Sequence, residues 1–301
     1  MKCVLIGYGY WGKILLGYIQ SSVYFELAGI CDPGLKDSLF LENVWKKNLA
    51  ECAFVCVPVG MHYEMVSTLL DHGIHVFCEK PLCRNLAETR KLYEKAGRVK
   101  RTLFTDYIYT VSPSIRFIKK HRDALGAVRY ANLVIKQFGN FYKDDDVYEV
   151  IGVHMISAFL YIMDRQGQDI QVEKVLTIQR NERGYAEAGI IFFRMDELSG
   201  KIECSLTSAE KERKIELVCE NGIIVFDMLR EDTVQIIFHQ KEGYQKKQRV
   251  LEKRAYDEKN NLSLILEEFY RTVQTGDSSN ERISLRTAKV LERVQNLEKS
   301  V

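Results

Sequence analysis

The sequence of 301 residues has no apolar run long enough to span a membrane and no large excess of charge of either sign. A membrane-spanning helix needs about 18 or more consecutive apolar residues, and the apolar runs of this chain are much shorter. Lysine and arginine number 43 against 41 acidic residues, so the net charge of +2 gives no electrostatic reason to expect a nucleic acid partner. We therefore expect the protein to bind neither a membrane nor a nucleic acid.

The eight cysteines include no CxxC pair, and the chain does not open with the basic, apolar and small-residue pattern of a secretory signal. Cys52 and Cys56 are four positions apart, and Cys3, Cys31 and Cys78 lie inside apolar runs, where a thiol acts as a small hydrophobic group. This pattern predicts no metal site. Cysteines without a secretory signal are typical of a reducing compartment, so we expect a cytoplasmic protein.

The spacing of apolar residues changes about one third of the way along the chain. In the first third, short apolar runs alternate with segments of helical spacing, which predicts a doubly wound parallel sheet with helices on both faces. After about residue 127, strand-like segments follow one another with turns between them, and Asn221-Gly222 is a strong hairpin signal. The second part is therefore predicted to be an α+β domain with a large open antiparallel sheet.

Helical spacing returns near residues 146–164 and in two amphipathic segments at the end of the chain. We place the domain boundary at Asp106, which gives a first domain over residues 1–106 and a second over residues 107–301 that includes the C-terminal helices. No segment rich in proline, glycine or serine separates the two, so no flexible linker is predicted.

A glycine-rich pattern follows the first apolar run and opens a segment with helical spacing. The pattern G-x-G-x-x-G is formed by Gly7, Tyr8, Gly9, Tyr10, Trp11 and Gly12. Between a strand and a helix, this pattern predicts a dinucleotide-binding Rossmann domain. Gly7 would allow the tight turn, Gly9 the close approach of the pyrophosphate, and Gly12 the packing of the helix on the sheet.

Asp32 follows the second apolar run, twenty residues after Gly12. At this position a carboxylate accepts hydrogen bonds from the ribose hydroxyls of the adenosine and repels a 2′-phosphate. No arginine follows it in the segment CDPGLK, so the sequence favours NAD over NADP as the cofactor. The alternative interpretation is a glycine-rich turn beside a capping aspartate.

The fourth apolar run ends in Glu79, Lys80 and Pro81. Ligands of a doubly wound sheet bind at the carboxyl ends of its strands, so Lys80 is predicted to project toward the nicotinamide end of the cofactor. Pro81 keeps the backbone of Lys80 out of the helical region, which fixes the direction of the side chain. A lysine that faces solvent at the end of a strand is the alternative.

Together these motifs make the sequence similar to the Gfo/Idh/MocA family of NAD(P)-dependent oxidoreductases over nearly its whole length. The matching segments are GYGYWG (7–12), CDP (31–33), VPVGMH (57–62), EKP (79–81), VSPSIRFIK (111–119), GVHMIS (152–157) and LSLILEEFYRTVQTG (262–276). In this family a Rossmann domain is joined to a domain with an open antiparallel sheet that often serves oligomerisation. The resemblance therefore implies a homodimer or homotetramer and a small-molecule substrate, a sugar or a nucleotide sugar.

The resemblance also assigns roles to residues around the nicotinamide. Lys80 corresponds to the catalytic lysine and Glu79 to its oriented neighbour, and a cation at this place would stabilise an alkoxide that develops on the substrate. Pro58 and His62 correspond to positions beside the nicotinamide ribose, although a structural histidine at a helix N-terminus is an equal alternative for His62. The cofactor-binding residues implied beyond the glycine loop and Asp32 are thus Pro58, His62, Glu79, Lys80 and Pro81.

His154 matches a family histidine on a helix, and the resemblance implies that its imidazole transfers the substrate proton near neutral pH. The family usually has an aspartate four residues earlier on the same helical face, but this chain has Val150 there. Glu149 lies about 100° away around the helix, and residues 144–146, three aspartates, could reach in from a preceding turn. Further hydroxyl groups that could bind the substrate are those of Tyr107, Tyr109 and Tyr142.

The sequence thus predicts an NAD-dependent oxidoreductase that transfers a hydride between nicotinamide and a secondary alcohol or ketone carbon of a sugar, polyol or nucleotide sugar. Val150 supports a different hypothesis, a catalytically impaired NAD(H)-binding protein that serves as a sensor or an assembly partner. A third hypothesis keeps catalysis but gives the proton transfer to a tyrosine or to an upstream aspartate.

Overall fold

The computed structural model describes residues 1–164, 169–231, 233–242 and 245–298. Contacts divide the chain into two compact units, Met1–Ile108 with Asn260–Lys289, and Tyr109–Lys259 with Val290–Val301. The domain boundary placed at Asp106 stays a prediction. The sequence assigned both C-terminal helices to the second domain, whereas the contacts group residues 260–289 with the first unit.

In the first unit, five described strands alternate with four helices. The strands are β1 (Lys2–Ile6), β2 (Glu26–Cys31), β3 (Cys52–Val55), β4 (His75–Cys78) and β5 (Leu103–Thr105), and the helices are α1 (Tyr10–Ser21), α2 (Leu41–Lys46), α3 (His62–Asp71) and α4 (Leu86–Val99). The order in the sheet is β2-β1-β3-β4-β5, and all neighbouring strands are parallel. The predicted doubly wound parallel sheet is confirmed.

The central strands of this sheet are buried on both faces, as expected for a parallel sheet between layers of helices. Every residue of β3 is fully buried, and so are Cys3, Val4 and Leu5 of β1. Each large apolar side chain buried in this way stabilises the fold by about 1.5–3 kcal/mol. Because the chain places β2 and β3 on opposite sides of β1, a crevice opens at the carboxyl ends of these strands.

The second unit contains helix α5 (Pro113–His121), helix α6 (Val153–Ile162) and a sheet of eight described strands. These are β6 (Val128–Phe138), β7 (Gln171–Arg180), β8 (Ala186–Met195), β9 (Leu198–Ser205), β10 (Thr207–Cys219), β11 (Gly222–Asp227), β12 (Val234–Glu242) and β13 (Gln245–Arg254). The order is β13-β12-β11-β10-β6-β9-β8-β7, and every described pair is antiparallel except β6 with β9. The predicted second sheet is confirmed, with this one parallel pair.

One face of the second sheet is covered by helices, since α6 contacts β6 and α5 contacts β11. Ala131, Leu133 and Ile135 of β6 point to this face and are fully buried. On the opposite face, the Lys136 ammonium lies 3.4 Å from the Glu203 carboxylate and 2.9 Å from that of Glu212. This alternation along β6 is typical of a sheet with one covered and one charged face.

Two further helices follow, α7 (Asn261–Thr275) and α8 (Ser279–Glu298). The predicted apolar face of α7 is present, because Ile265, Leu266 and Phe269 are buried. The Phe269 ring lies 5.6–5.9 Å, centroid to centroid, from four phenylalanine rings of the first unit, Phe25, Phe54, Phe77 and Phe104. This aromatic cluster is the physical reason why residues 260–289 group with the first unit.

None of the helices in the described ranges has the length and apolar character that a membrane span needs. Over the same ranges, no group of three or more His, Cys, Asp and Glu side chains is arranged to hold a metal ion. The eight cysteines are all free thiols.

Candidate functional site

A cleft of about 650 Å³ lies at the carboxyl ends of β1, β2 and β3 in the first unit. Its wall includes four of the residues predicted to bind the cofactor, Gly7, Gly9, Asp32 and Pro58. Three apolar side chains that the sequence did not single out also line it, namely Leu39, Phe40 and Met61. Phe40 and Met61 are 78% and 51% exposed, so this apolar surface is open to a ligand with a flat ring such as adenine.

The glycines of the loop fit a dinucleotide for three different reasons. Gly7 has a φ of +92°, and a Cβ there would lie 2.6 Å from the Cys56 carbonyl oxygen. A Cβ on Gly12 would lie 2.1 Å from the carbonyl oxygen of Gly7, so α1 can approach the loop only without a side chain at this position. A Cβ on Gly9 would meet no protein atom within 4 Å, which leaves room in the cleft for a pyrophosphate.

Asp32 follows β2 and holds the glycine loop through its carboxylate. Its Oδ2 accepts a hydrogen bond from the Tyr8 N–H at 2.6 Å, and its Oδ1 accepts one from the Gly34 N–H at 2.8 Å. These two backbone donors, first Tyr8 and then Gly34, lower the pKa of Asp32. The cleft therefore has a carboxylate that is ionised at neutral pH at the place where a ribose is predicted.

The remaining residues of the glycine loop lie outside the wall of the cleft. Tyr10 and Trp11 begin α1, are 67% and 42% exposed, and contact each other edge to face at 5.8 Å. The Tyr8 ring lies under the Lys13 ammonium, 5.5 Å from ring centroid to nitrogen. Cofactor contacts of these three aromatic side chains stay a prediction.

Lys80 follows β4 and precedes Pro81 through a cis peptide bond. Burial raises the pKa of Glu79 and of Asp106, and the positive charge of Lys80 opposes this rise; the same charge adds to the lowering of the His62 pKa by burial. To Lys80 and its sequence neighbour Glu79 the structure adds Asp106, which the sequence used only as a domain boundary.

Glu79 and Asp106 form a hydrogen-bonded pair of carboxyl groups. They follow Cys78 and Thr105, which are partners in the register of β4 and β5, so the two side chains leave the sheet side by side. Asp106 is 5% exposed. Burial, and then the negative charge of Glu79, raises the pKa of Asp106 well above its ordinary value, and burial also raises the pKa of Glu79. Such a pair keeps a shared proton where isolated carboxyls are ionised.

His62 begins α3 and is 1% exposed. Its Nε2 lies 2.8 Å from the carbonyl oxygen of Val57, and its Nδ1 lies 3.0 Å from that of Pro81 and 3.2 Å from that of Leu82. Burial lowers the pKa of His62, against the effect of these carbonyls. The ring therefore links the loop after β3 to the turn that carries Lys80, and a direct contact with the cofactor stays a prediction.

In the second unit, the His154 ring contacts the Tyr109 ring edge to face at 5.5 Å. The Tyr109 hydroxyl accepts a hydrogen bond from Arg213 Nη1 at 2.8 Å, and Arg213 Nη2 donates to Gln137 Oε1 at 2.8 Å. His154 lies in α6, directly after a turn of π-helix over residues Tyr148–Gly152. Among the candidate substrate residues, the structure thus joins His154 with Tyr109.

The carboxylates considered as substitutes for the missing aspartate have other contacts. Gln295 donates a hydrogen bond to Glu149 Oε1 at 2.9 Å, and Arg183 donates one to Asp144 at 2.6 Å. Asp146 accepts the Ala186 N–H at 2.7 Å. These contacts support no single substitute.

The other two candidate tyrosines have hydrogen bonds with residues outside the His154 cluster. The Tyr107 hydroxyl donates to Ser284 Oγ at 3.3 Å within the first unit, and burial raises its pKa. The carbonyl oxygen of Tyr142 accepts a hydrogen bond from Asn181 at 3.1 Å. Their contact with a substrate stays a prediction.

Residues 1–107 match the model of a protein family described as an oxidoreductase family with an NAD-binding Rossmann fold, Gfo/Idh/MocA. Residues 1–107 therefore belong to the Gfo/Idh/MocA family. An uncharacterized oxidoreductase of Streptococcus pneumoniae is 24% identical over 144 residues, which are 44% of this chain and 39% of that protein. The alignment with this relative thus spans well under half of the relative's length.

Two solved structures show the same fold over almost the whole chain. The UDP-N-acetylglucosamine 3-dehydrogenase of Acidithiobacillus ferrooxidans has a TM-score of 0.83 at 15% identity, and the match covers 99% of this chain and 98% of that one. A 3-ketoreductase of Actinomadura kijaniata, in complex with NADP, has a TM-score of 0.81 at 17% identity, with 98% and 97% covered. The second unit therefore shares the fold of these proteins as well.

The Glu79–Asp106 pair of this Gfo/Idh/MocA domain gives a prediction for the pH dependence of stability. A raised folded pKa means that the folded state keeps a proton that the unfolded chain releases. The stability that this proton provides is complete below the ordinary carboxyl pKa of about 4 and is lost as the pH rises through the raised folded value. Asparagine at position 106 cannot release a proton. We therefore expect Asp106→Asn to be more stable than the wild type near pH 8. The difference should be about 1.4 kcal/mol for each unit by which the folded pKa of Asp106 exceeds its unfolded pKa, counted up to pH 8.

Denaturant unfolding between about pH 4 and about pH 8 measures this effect. Glu94→Gln, which removes an exposed carboxylate from α4, is the control and should follow the wild-type curve. The groups that face the pair are Lys80, Cys56 and Cys78, and neither substitution changes them. A pH profile of Asp106→Asn that coincides with the wild-type profile would contradict the prediction.

Proposed function

We propose that this chain is an NAD-dependent oxidoreductase that transfers a hydride between nicotinamide and a secondary alcohol or ketone carbon of a sugar, a polyol or a nucleotide sugar. The observation that carries the proposal is the cleft at the switch point of the parallel sheet, with Gly7, Gly9 and Asp32 in its wall. The segment with Lys80 follows β4, which is paired with β3 in the same sheet. The matched family is described as NAD-binding, and the two similar structures are those of a dehydrogenase and a ketoreductase.

In the proposed reaction, bound nicotinamide supplies or accepts the hydride. Lys80 holds its positive charge near the substrate oxygen and stabilises the negative charge that develops there as the proton leaves. The carboxyl pair of Glu79 and Asp106 keeps negative charge beside this ammonium group and thereby holds it in place. His154 accepts the substrate proton during oxidation and returns it during reduction.

A turnover assay tests the proposal. The purified chain is incubated with NAD and a panel of sugars, polyols and nucleotide sugars, and with NADH and the corresponding ketones, while the nicotinamide absorbance is followed. We expect at least one substrate to turn over and His154→Asn to slow that reaction. Undiminished turnover by His154→Asn would indicate that a tyrosine or an aspartate transfers the proton. Absence of turnover with every substrate would contradict the proposal that the chain is an enzyme.

NAD is proposed as the cofactor rather than NADP because the Asp32 carboxylate is ionised and lies at the wall of the cleft. We expect wild-type protein to bind NADH more tightly than NADPH, and Asp32→Ser to raise the affinity for NADPH by about 10- to 100-fold, since it removes the charge that repels a 2′-phosphate. Fluorescence titration with both nucleotides measures the two affinities. Asp37→Ser removes an exposed carboxylate from the same loop and is the control. An unchanged preference in Asp32→Ser would contradict the assignment.

A second candidate function rests on Val150, which stands where an aspartate would share a helical face with His154. Without that carboxylate, the chain would bind NAD(H) and act as a sensor or an assembly partner. Calorimetry with NADH separates the two functions: tight binding without turnover on any substrate favours the sensor, whereas substrate turnover excludes it. Absence of cofactor binding would contradict both.

We also propose that the protein forms a homodimer or homotetramer through the second sheet. Leu176, Ile178 and Phe192 lie on the open face of β7 and β8 and are 45%, 61% and 36% exposed. Apolar side chains at such positions favour association of copies. A monomer in light scattering at micromolar concentration would contradict this proposal.

A further inference from the structure

An arginine lies on the covered face of the second sheet, where the strand pattern otherwise places apolar residues. Ile215 and Leu217 of β10 are 1% and 0% exposed, and Arg213 continues the same alternation toward the start of the strand. On the neighbouring strand, Ala131, Leu133 and Ile135 are followed on this face by Gln137. Arg213 and Gln137 therefore form a polar edge of an apolar surface that is covered by helices.

The guanidinium group of Arg213 has no carboxylate partner in the described part of the chain. Its Nη1 donates to the Tyr109 hydroxyl and its Nη2 to Gln137 Oε1, both at 2.8 Å and both to neutral acceptors. Its Nε is buried and has no hydrogen-bond partner among the described residues. A guanidinium carries five N–H donors and is always charged, so the second N–H of each terminal nitrogen and the full charge of Arg213 are left for another group. A charge that is partly removed from water without a counterion is unfavourable for the folded protein, and a bound anion would offset this penalty.

The contacts of Arg213 also fix its direction. Tyr109 is 3% exposed, and its ring contacts the His154 ring at 5.5 Å. Its hydroxyl accepts from Arg213 and donates to the Met228 sulfur at 3.4 Å. The positive charge is thus held by a buried tyrosine that contacts the histidine proposed to move the substrate proton. A ligand group bound by Arg213 would lie close to the proposed place of reaction.

We propose that Arg213, oriented by Tyr109 and Gln137, binds an anionic group of the substrate, so that the preferred substrate is a sugar that carries a carboxylate or a phosphate. Guanidinium groups recognise both anions through paired N–H donors. The inference rests on the proposed function only for the reaction that follows binding. The binding of the anion is a separate property of the second unit.

Titration calorimetry with NADH present tests the inference, with glucose, glucuronate, glucose 1-phosphate and UDP-glucose as probes. We expect the wild-type chain to bind at least one anionic probe about 10- to 100-fold more tightly than glucose. Arg213→Gln should abolish this preference, and Arg213→Lys should restore part of it. The comparison of glucuronate with glucose 1-phosphate and UDP-glucose tells whether the anion is a carboxylate or a phosphate.

Lys214→Gln is the matched control, because it removes the same charge from the next residue on the opposite face of β10, where Lys214 lies 3.6 Å from Glu216. It should keep the wild-type preference for anionic probes. Thermal unfolding of each variant shows whether Arg213→Gln folds, and Arg213→Lys keeps the test valid if it does not. A wild-type chain that binds no anionic probe more tightly than glucose, or an Arg213→Gln variant that keeps the preference, would overturn the inference.

Turnover measured in parallel separates this inference from the proposed function. Oxidation of a neutral sugar at the same rate by wild type and Arg213→Gln, with no preference for anions, would overturn the inference and leave the oxidoreductase intact. Arg213-dependent binding of an anionic sugar without any turnover would support the inference and contradict the oxidoreductase.

Discussion

Replacement of Lys80 by methionine is expected to lower kcat/KM by about 100- to 10,000-fold and to change the affinity for NADH by less than about threefold. Methionine is similar to lysine in length and shape but carries no charge, so it removes the electrostatic stabilisation of the developing alkoxide with little change in packing. The loss should fall on kcat rather than on cofactor binding, because Lys80 lies outside the wall of the dinucleotide cleft. Steady-state kinetics with the substrate found in the panel, together with NADH titration, measure both quantities.

Lys91→Met is the control for this substitution, since Lys91 is an exposed lysine of α4 in the same unit. It should leave kcat/KM unchanged. Lys80→Met has a second expected effect on the neighbouring carboxyls, because the charge of Lys80 lowers the pKa of Glu79 and of Asp106. Without that charge, both groups should hold their proton to higher pH. Wild-type kinetics in Lys80→Met would exclude Lys80 from the reaction and would assign the stabilisation of the alkoxide to another group.

The parallel sheet and the glycine loop could be predicted because both depend on patterns that are short in sequence. Fully buried runs such as residues 52–55 alternate with helical segments within a few tens of residues. The glycine loop is equally local: the φ of +92° at Gly7 and the close approach of Gly12 to Gly7 depend on residues only five positions apart. The residues that cause such a structure are close to one another in the sequence, so a sequence pattern is enough to predict it.

Contacts between distant residues could not be predicted in the same way. The parallel pairing of β6 with β9, and the packing of Phe269 among rings of the first unit, follow from tertiary structure alone. The hairpin predicted at Asn221-Gly222 is present, but Cys219 pairs with Gly222, so Glu220 and Asn221 form the turn. Neither Asn221 nor Gly222 is among the described residues with positive φ. The glycine is needed because a Cβ at Gly222 would lie 2.1 Å from the Ile237 carbonyl oxygen of β12.

The candidate site likewise contains residues that local motifs predict and residues that depend on contacts between distant parts of the chain. Gly7, Gly9, Asp32 and Lys80 could be proposed as site residues from motifs, whereas the pairing of Asp106 with Glu79 depends on the register between β4 and β5. A signal for Asp106 existed, because it ends an apolar run just as Glu79 does, but the run alone does not tell which strand lies beside it. The signal for Arg213 was its alternation with the buried residues Ile215 and Leu217. The register of β10 with β6 then places the charge of Arg213 on the covered face of the sheet.

Substitution of Gly12 by alanine is expected to weaken NADH binding by about 100-fold or more, equivalent to about 2.7 kcal/mol. The added Cβ would lie 2.1 Å from the Gly7 carbonyl oxygen and 3.0 Å from its carbonyl carbon. Both atoms belong to the backbone, so no side-chain rotation relieves the contact, and either α1 or the loop must move. A displaced loop no longer presents its N–H groups to the pyrophosphate. Overpacking at this point should also lower the unfolding free energy by about 1–3 kcal/mol.

Gly17→Ala provides the matched control in the same helix. Gly17 is an exposed residue of α1, and a Cβ there would meet no protein atom within 4 Å. Alanine should therefore leave NADH binding unchanged and raise the unfolding free energy by about 0.5–1 kcal/mol, because glycine is a weak helix former. Opposite effects of one methyl group at two positions of one helix would show that the close approach of α1 to the loop, and not the helix itself, forms the dinucleotide site. Equal NADH affinity in Gly12→Ala and Gly17→Ala would place the dinucleotide elsewhere.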